Sequence, residues 1–306
     1  MSALKRWLIR FLLIIVSLVA LVLVVVIGGG LMLAPTPPPP SAAMHVPPPA
    51  IDTAPGTHKP TLILLHGAGL NAHMWDAVIR DIDPRWRVLS IDLPGHGARS
   101  TEWYSAAAAR EAVASAARSV APAPVVLAGD SLGGYSAMLA ADAIPPSQLR
   151  GLVVAGASVN FPTRLPLKKW PERLLVRWML FLKDPEELAP AALSRFGVSA
   201  RDQQAILASG VTLSAVEPAV DALMNKDFLP LLRRTPQPIL FVNGDGDTER
   251  VEAEPVFLAA APNASSHLFR DTGHGVSILR PREFAALLNR FSDRVFARGT
   301  MPGETP

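Results

Sequence analysis

The chain has 306 residues, 49% hydrophobic and 18% charged, a composition that supports one large folded domain or two modest ones and excludes a disordered chain. Its formal net charge is only +3, and the charged residues form no long basic run, so nucleic acid is not an expected partner. It has no cysteine, which excludes disulfides, thiolate metal sites and cysteine nucleophiles.

The first predicted element is an apolar helix near the N-terminus. No charged residue occurs from Phe11 to Ala34, and three basic residues precede that stretch: Lys5, Arg6 and Arg10. A membrane-spanning helix needs roughly 20 apolar residues, and the positive-inside rule places the basic flank in the cytoplasm. We predict a cytoplasmic stub and a transmembrane anchor over residues 1–34, with the rest of the chain on the periplasmic side of a bacterial inner membrane.

A cleaved signal peptide is the alternative for this segment. Secretory apolar regions usually run about 7–15 residues, which is shorter than this one. Cleavage after Ala34 would also place Pro35 beside the scissile bond. Ser41-Ala42-Ala43 offers a further small-residue site, so a secreted product stays an alternative.

A proline-rich stretch over residues 35–60 comes next. Proline favours extended polyproline II structure, which acts as a semi-rigid spacer. A recognition motif is the alternative, but no Lys or Arg stands beside the proline runs 37–40 and 47–49. We predict a linker that holds the following domain away from the bilayer.

From residue 61 onward, strand-like and helix-like segments alternate. Short apolar runs that end near glycine are typical of buried parallel strands, and they occur at 61–65, 86–92, 125–128, 149–155, 239–242 and 267–269. Helical apolar spacing occurs at 75–82, 102–120, 132–143 and 281–297. The alternation predicts an α/β domain over residues 61–297, with a mostly parallel central sheet and helices on both faces. A short tail, 298–306, follows.

One interval departs from this alternation. About 75 residues without a strand-like run separate Val159 from Ile239, and we predict a helical cap at about residues 160–236. Its helix-like pieces lie at 172–182, 190–195, 200–208 and 215–224. Seven apolar side chains are candidates for the inner face of the cap, and one or two of them for a substrate pocket: Trp170, Leu174, Leu175, Trp178, Met179, Phe181 and Leu182.

The segment Gly129-Asp130-Ser131-Leu132-Gly133 matches the pattern G-x-S-x-G between a predicted strand and a predicted helix. A nucleophile on such a sharp turn is held in a strained conformation with its side chain exposed, and the flanking glycines let strand and helix approach closely. The turn also places Ser131 at a helix N-terminus, which favours developing negative charge. A loop without chemical importance is the alternative, which the flanking elements disfavour.

The segment His66-Gly67-Ala68-Gly69 follows the first strand of the domain. A backbone N–H from such a loop, together with the N–H of the residue after the nucleophile, can form an oxyanion hole. The candidate donors are therefore the N–H groups of Ala68 and Leu132. We expect His66 itself to bond loop backbone and not to carry a proton.

Two later segments offer a base and an acid. His274 lies in Asp271-Thr-Gly-His-Gly275, between the last strand and the last helix, where it can reach back to the serine; a surface-loop histidine is the alternative. The loop after the preceding strand carries two carboxylates, Asp245 and Asp247. An acid in that position would fix the imidazole tautomer and stabilise the imidazolium.

From about Thr61 to Phe296 the chain resembles the α/β-hydrolase superfamily, in particular its capped esterase, lipase and haloperoxidase-like branch. The stretches that carry the resemblance are His66-Gly67-Ala68-Gly69, Asp92-Leu-Pro-Gly-His-Gly97, Gly129-Asp-Ser-Leu-Gly133, Gly244-Asp-Gly-Asp247 and Gly273-His274. The resemblance implies the chain order Ser131, Asp247, His274 for the triad, with Asp245 as a turn residue. It also implies mostly structural roles for Asp92 and His96.

These observations predict a serine hydrolase that cleaves an ester or a related acyl bond through an acyl-enzyme. The expected substrate is a small molecule with an apolar acyl part, and no metal or organic cofactor is expected. Serine at position 131 argues against dehalogenases and epoxide hydrolases, which the resemblance associates with Asp there. Two alternatives stay open: a same-fold enzyme acting on a non-ester bond (carbon–carbon hydrolase, amidase or haloperoxidase), and a catalytically silent binding module at the membrane surface. Oligomeric state is not predicted.

Overall fold

The computed structural model describes residues 3–34, 50–161, 170–183, 185–224 and 226–297. The candidate cleavage site 41–43, the predicted linker up to residue 49 and the predicted tail 298–306 lie outside the described residues. The strands are β1 (Ile51–Asp52), β2 (Thr61–Leu65), β3 (Arg87–Ile91), β4 (Val125–Asp130), β5 (Leu149–Ala155), β6 (Ile239–Gly244) and β7 (Ala264–Phe269). The helices are α1 (Ala3–Met32), α2 (Asp76–Ile79), α3 (Ala106–Ser119), α4 (Leu132–Ala140), α5 (Trp170–Leu182), α6 (Pro185–Arg195), α7 (Ala200–Ala208), α8 (Val216–Leu223), α9 (Leu229–Arg233), α10 (Thr248–Ala260), α11 (Val276–Leu279) and α12 (Pro281–Ala297).

The chain divides into two compact units, and the smaller one contains α1 and α5. In this unit, Nη1 of Arg177 donates to the Gly30 carbonyl at 2.8 Å, and Nε1 of Trp178 donates to the Val26 carbonyl at 3.0 Å. Among the described residues, no single helix is long and apolar enough to cross a membrane. The described apolar part of α1, Leu18–Met32, is shorter than such a span. One bent pair of helices, Ala200–Ala208 with Leu213–Leu223, is together long and apolar enough for a membrane span, by length and composition only.

Four of the seven apolar candidates for the inner face of the cap have exposed side chains on α5, and the inner face itself stays a prediction. The side chains of Leu175, Met179, Phe181 and Leu182 are exposed by 61%, 41%, 63% and 71%. Leu174 instead lies against Gly30 of α1. At 3.6 residues per turn, residues 175, 179 and 182 share one side of α5 while 174 and 178 share another. The charged Arg177 of the same helix is itself buried, so the apolar side of the helix in the sequence does not identify the buried side. The Trp170 side chain lies outside the described residues.

The larger unit is built on one seven-stranded sheet in the order β1-β3-β2-β4-β5-β6-β7. All neighbouring strands from β3 to β7 are parallel, which confirms the mostly parallel sheet. The antiparallel strand β1 was not predicted, because it lies inside the segment read as linker. The Arg87 guanidinium donates to both carboxylate oxygens of Asp52, at 2.9 and 2.6 Å, and this ion pair holds β1 against β3.

Side-chain alternation along the strands produces two cores. On β2, Ile63 and Leu65 join a cluster with α3 and α4, whereas Leu62 and Leu64 join a cluster with α2 and α12. All four side chains are fully buried. Helices therefore cover both faces of the sheet, as predicted for strands that read as continuous apolar runs.

Helices α6 to α9 lie between β5 and β6 in the chain. Nδ2 of Asn71 donates to the carbonyls of Ile206 and Gly210, at 2.7 and 2.8 Å. Asp202 of α7 accepts two hydrogen bonds from Arg80, both at 2.8 Å. These contacts tie α7 to the segment that follows β2.

The parallel direction of β2, β4, β6 and β7 has a direct consequence for the site. The segments that leave the carboxyl ends of parallel strands meet at one edge of the sheet. The four predicted site segments all leave such ends: residues 66–69, 131–132, 245–247 and 271–275.

Candidate active site

Ser131 occupies a strained turn between β4 and α4. Its backbone angles are φ 51° and ψ −113°, a region that non-glycine residues rarely adopt. A Cβ at Gly129 would overlap the backbone of Gly133, and a Cβ at Gly133 would overlap the Leu65 carbonyl. Glycine at these positions therefore allows the close strand–helix approach that the pentapeptide predicts.

His274 lies between Ser131 and Asp247. Its Nε2 is 3.0 Å from Oγ of Ser131, and its Nδ1 is 2.6 Å from Oδ2 of Asp247. A carboxylate accepts only, so Nδ1–H donates to Asp247 and leaves the Nε2 lone pair to accept the Ser131 hydroxyl proton. The Asp247 side chain is 7% exposed and that of His274 is 40% exposed, so the acid is shielded while the imidazole stays accessible.

The two candidate carboxylates have different partners. Oδ1 of Asp245 accepts the backbone N–H of Thr272 at 3.2 Å, and that hydrogen bond holds the pKa of Asp245 below its usual range. Asp247 instead faces His274 with Oδ2, and its Oδ1 lies 3.6 Å from Nη1 of Arg250. Asp247 is therefore the carboxylate that can orient the imidazole, and Asp245 holds the turn.

The segment 66–69 lies beside Ser131. A Cβ built on Gly67 would be 3.8 Å from both the Ser131 Cβ and the Asp130 carbonyl oxygen. Among the described residues, neither the Ala68 N–H nor the Leu132 N–H donates a hydrogen bond to another protein atom. Both groups are thus free to bind a ligand oxygen, and their assignment as oxyanion donors stays a prediction.

His66 bonds backbone on both sides of its ring, as expected from the sequence. Nδ1 donates to the Gly67 carbonyl at 2.8 Å, and Nε2 accepts the Leu93 N–H at 2.9 Å. Burial lowers the pKa of His66 to about 4 and that of His96 to about 3. Both rings are neutral near pH 7. Asp92 accepts the N–H groups of Ala72 and Ala98, at 2.8 and 2.9 Å, so it too organises loops.

Three further residues, which were not predicted as site residues, contact the His274 ring or hold the segment that carries it. Gly156 has φ 57°, and a Cβ there would be 2.9 Å from Cε1 of His274, so a side chain would displace the ring. Oδ2 of Asp130 accepts hydrogen bonds from Oγ and N of Ser277, at 2.5 and 3.3 Å. The sequence shows that Gly156 directly follows a predicted strand and that Asp130 precedes Ser131. It does not show which residues they contact, because those residues are distant in the chain.

In the part of the chain that the structure describes, no group of three or more His, Cys, Asp or Glu residues is placed to hold a metal ion.

Comparison with known proteins gives a family and a fold. The alpha/beta hydrolase family matches residues 62–287. The chain is 31% identical over 255 residues to a pimeloyl-[acyl-carrier protein] methyl ester esterase of Serratia marcescens, which covers 77% of this chain and 95% of that one. The corresponding esterase of Edwardsiella ictaluri (strain 93-146) is 28% identical over 254 residues, 78% of this chain and 95% of that one.

Solved structures show the same fold at lower identity. A thermophilic esterase from Thermogutta terrifontis is 22% identical with a TM-score of 0.63, and the match covers 80% of this chain and 92% of that one. A bromoperoxidase from Bacillus anthracis is 20% identical with a TM-score of 0.66, over 79% of this chain and 94% of that one.

Proposed function

The chain belongs to the alpha/beta hydrolase family and is a hydrolase, and we propose that it cleaves an ester or a related acyl bond with Ser131 as nucleophile. The observation that carries the proposal is the hydrogen-bonded line from Ser131 through His274 to Asp247, at 3.0 and 2.6 Å. The strained turn at Ser131 and the shielded carboxylate of Asp247 support it.

In the proposed reaction, Oγ of Ser131 attacks the acyl carbon while Nε2 of His274 accepts the hydroxyl proton. Asp247 holds the ring tautomer and stabilises the imidazolium that forms. The N–H groups of Ala68 and Leu132 bind the oxyanion. The imidazolium then protonates the leaving alcohol, and a water molecule activated by His274 hydrolyses the acyl-enzyme.

The proposed substrate is a small molecule with an ester on an acyl chain. Support comes from the relatives named pimeloyl-[acyl-carrier protein] methyl ester esterase, at about 30% identity over most of both chains. Among the described residues none singles out the acyl group, so the proposal extends to the ester bond and no further.

Covalent labelling tests the nucleophile. We would treat the full chain with a fluorophosphonate and read its intact mass beside a Ser131→Ala variant, after circular dichroism has shown that both are folded. One adduct on the parent and none on the variant is the expected result. A folded parent without an adduct would overturn the mechanism and favour the catalytically silent binding module.

A substrate panel tests the bond. Matched methyl esters, thioesters and anilides of one acyl chain would be compared by kcat/KM. We expect esters to be hydrolysed fastest. Preference for the anilide, or labelling of Ser131 without turnover of any acyl compound, would favour the non-ester alternatives.

We also propose that α6 to α9 form part of the cap, and that α1 is a membrane anchor with a cytoplasmic N-terminus and the hydrolase domain across the membrane. The cap is supported by the Asn71 and Arg80 contacts to the segment between β5 and β6. The anchor is supported by the uncharged run from Phe11 to Ala34, its basic flank and the exposed apolar side chains between Ile15 and Met32. Alkaline extraction of membranes, with alkaline phosphatase fused to the C-terminus, tests the anchor. Active phosphatase in the pellet is expected, whereas release into the medium would indicate cleavage and secretion.

A further inference from the structure

A buried bond joins the nucleophile turn to the segment that carries His274. Asp130, the residue before Ser131, is 2% exposed, and Ser277 is fully buried. Oδ2 of Asp130 accepts the Ser277 hydroxyl at 2.5 Å and the Ser277 N–H at 3.3 Å. Ser277 stands three residues after His274, in the first turn of α11.

The other contacts of His274 act on its ring. Asp247 accepts from Nδ1, Ser131 lies at Nε2, and Gly156 leaves space beside Cε1. None of these fixes the backbone that carries the ring. Gly273 and Gly275 flank His274, and glycine lets a backbone adopt many conformations. On its N-terminal side the segment is held at Thr272, whose carbonyl accepts the Gly246 N–H and whose N–H donates to Asp245. The bond at Ser277 is placed to hold the segment on its C-terminal side.

We propose that Asp130 is a positioning residue that acts through Ser277, holding the His274 segment against the nucleophile turn so that Nε2 stays within hydrogen-bond reach of Ser131. This inference rests on the proposed triad and adds to it a fourth polar side chain that does not touch the substrate. The bond spans two residues 147 positions apart in the chain.

A purely structural role is a weak explanation for this carboxyl group. Burial raises the pKa of Asp130 above its usual range, because the ionised form loses hydration. A positive charge on His274 in its protonated form and the two Ser277 hydrogen bonds act in the opposite direction, while the charge of Asp247 adds to the rise. An apolar side chain of the same size would avoid this burial penalty. An apolar side chain could not, however, accept the hydroxyl and the backbone N–H of Ser277.

Four variants of the full chain test the proposal. Asp130→Leu removes the acceptor, Ser277→Ala removes the hydroxyl donor, and Asp130→Asn keeps an acceptor of the same shape. Ser292→Ala is the matched control, since Ser292 is a fully buried serine of α12 whose hydroxyl has no partner among the described residues. Each variant is measured for kcat and KM on one ester, for fluorophosphonate labelling rate and for thermal midpoint.

We expect Asp130→Leu to lower kcat and the labelling rate roughly 10- to 100-fold with little change in KM, because a small misplacement of a reacting group costs that much. Ser277→Ala should lower them less, since its N–H still bonds Asp130. Asp130→Asn should restore most of the rate, and Ser292→Ala should match the parent. If Asp130→Leu does not fold, Ser277→Ala decides alone.

A parent-like kcat and labelling rate in folded Asp130→Leu or in Ser277→Ala would overturn the proposal, as would an Asp130→Asn variant no faster than Asp130→Leu. These results differ from failure of the proposed function itself. In that case the folded parent would not be labelled at all.

Discussion

Replacing His66 with glutamine should make the fold less sensitive to acid. The His66 ring is fully buried, and its Nε2 accepts the Leu93 N–H. A proton on Nε2 would remove that acceptor and place a charge in the core. Burial accordingly lowers the pKa of His66 from 6.5 to about 4.

The sign follows from the two pKa values. The unfolded chain binds a proton near pH 6.5 and the folded chain only near pH 4, so the stability present above pH 6.5 is lost as the pH falls towards 4. Going from pH 7 to pH 5 crosses about 1.5 pH units of this window, at about 1.4 kcal/mol each. His66 alone should therefore reduce the free energy of unfolding by about 2 kcal/mol at pH 5.

Urea denaturation at pH 7 and pH 5, at constant ionic strength, measures this difference. Glutamine can still accept the Leu93 N–H but does not titrate, so the pH-dependent loss should be about 2 kcal/mol smaller in His66→Gln than in the parent. His96, whose pKa is also lowered, should leave a residual loss in both. His267→Gln, on the half-exposed strand β7, is the control and should behave like the parent. Equal losses in His66→Gln and the parent would refute the reasoning.

Three further outcomes are expected. Asp247→Asn should lower kcat roughly 10³-fold or more, because it removes the acceptor that fixes the His274 tautomer. Asp245→Asn, the control, should retain most activity, and an equal loss in both variants would contradict the assignment of Asp247 as the acid. Gly133→Ala should destabilise the fold by about 3 kcal/mol in a urea titration, since its Cβ would overlap the Leu65 carbonyl. Gly273→Ala, which has open space around its Cβ in the same unit, should change stability by about 1 kcal/mol or less. Asp202→Asn should lower the free energy of unfolding by about 1–2 kcal/mol in the same titration, because it weakens an ion pair whose carboxylate is buried but whose Arg80 partner is 43% exposed. An unchanged midpoint would show that this ion pair does not hold α7.

The parallel sheet was predictable because its inner strands are buried on both faces. A strand such as β2 then reads as a continuous apolar run, and glycine marks where it ends. At the edges this signal disappears. Strand β7 was predicted only over 267–269, since Ser265 and Ser266 are exposed and break the run. Strand β1 has two residues and depends on a distant ion pair.

Helix α10 was missed for a different reason. Pro255 lies inside it and reads as a helix breaker, yet the structure accommodates proline there. Packing of Phe257 in the core overrides the local preference. Tertiary burial of this kind cannot be read from a window of sequence.

The three residues of the proposed triad could be selected from the sequence because each lies in a short segment next to a recognisable strand end. Their supporting residues were not. Ser277 and Gly156 matter only through contacts with residues more than 100 positions away, and nothing in their own neighbourhoods marks them. Local patterns thus supply candidates for the reacting groups, while the surroundings that hold them depend on the folded chain.

The backbone at Ser131 has a consequence for how such a protein changes over generations. A non-glycine residue at φ 51° and ψ −113° costs about 1–3 kcal/mol, and glycine would remove that cost. A lineage selected for stability alone would therefore exchange this serine for glycine by a single favourable step. A strained serine persists there only while something other than stability retains it.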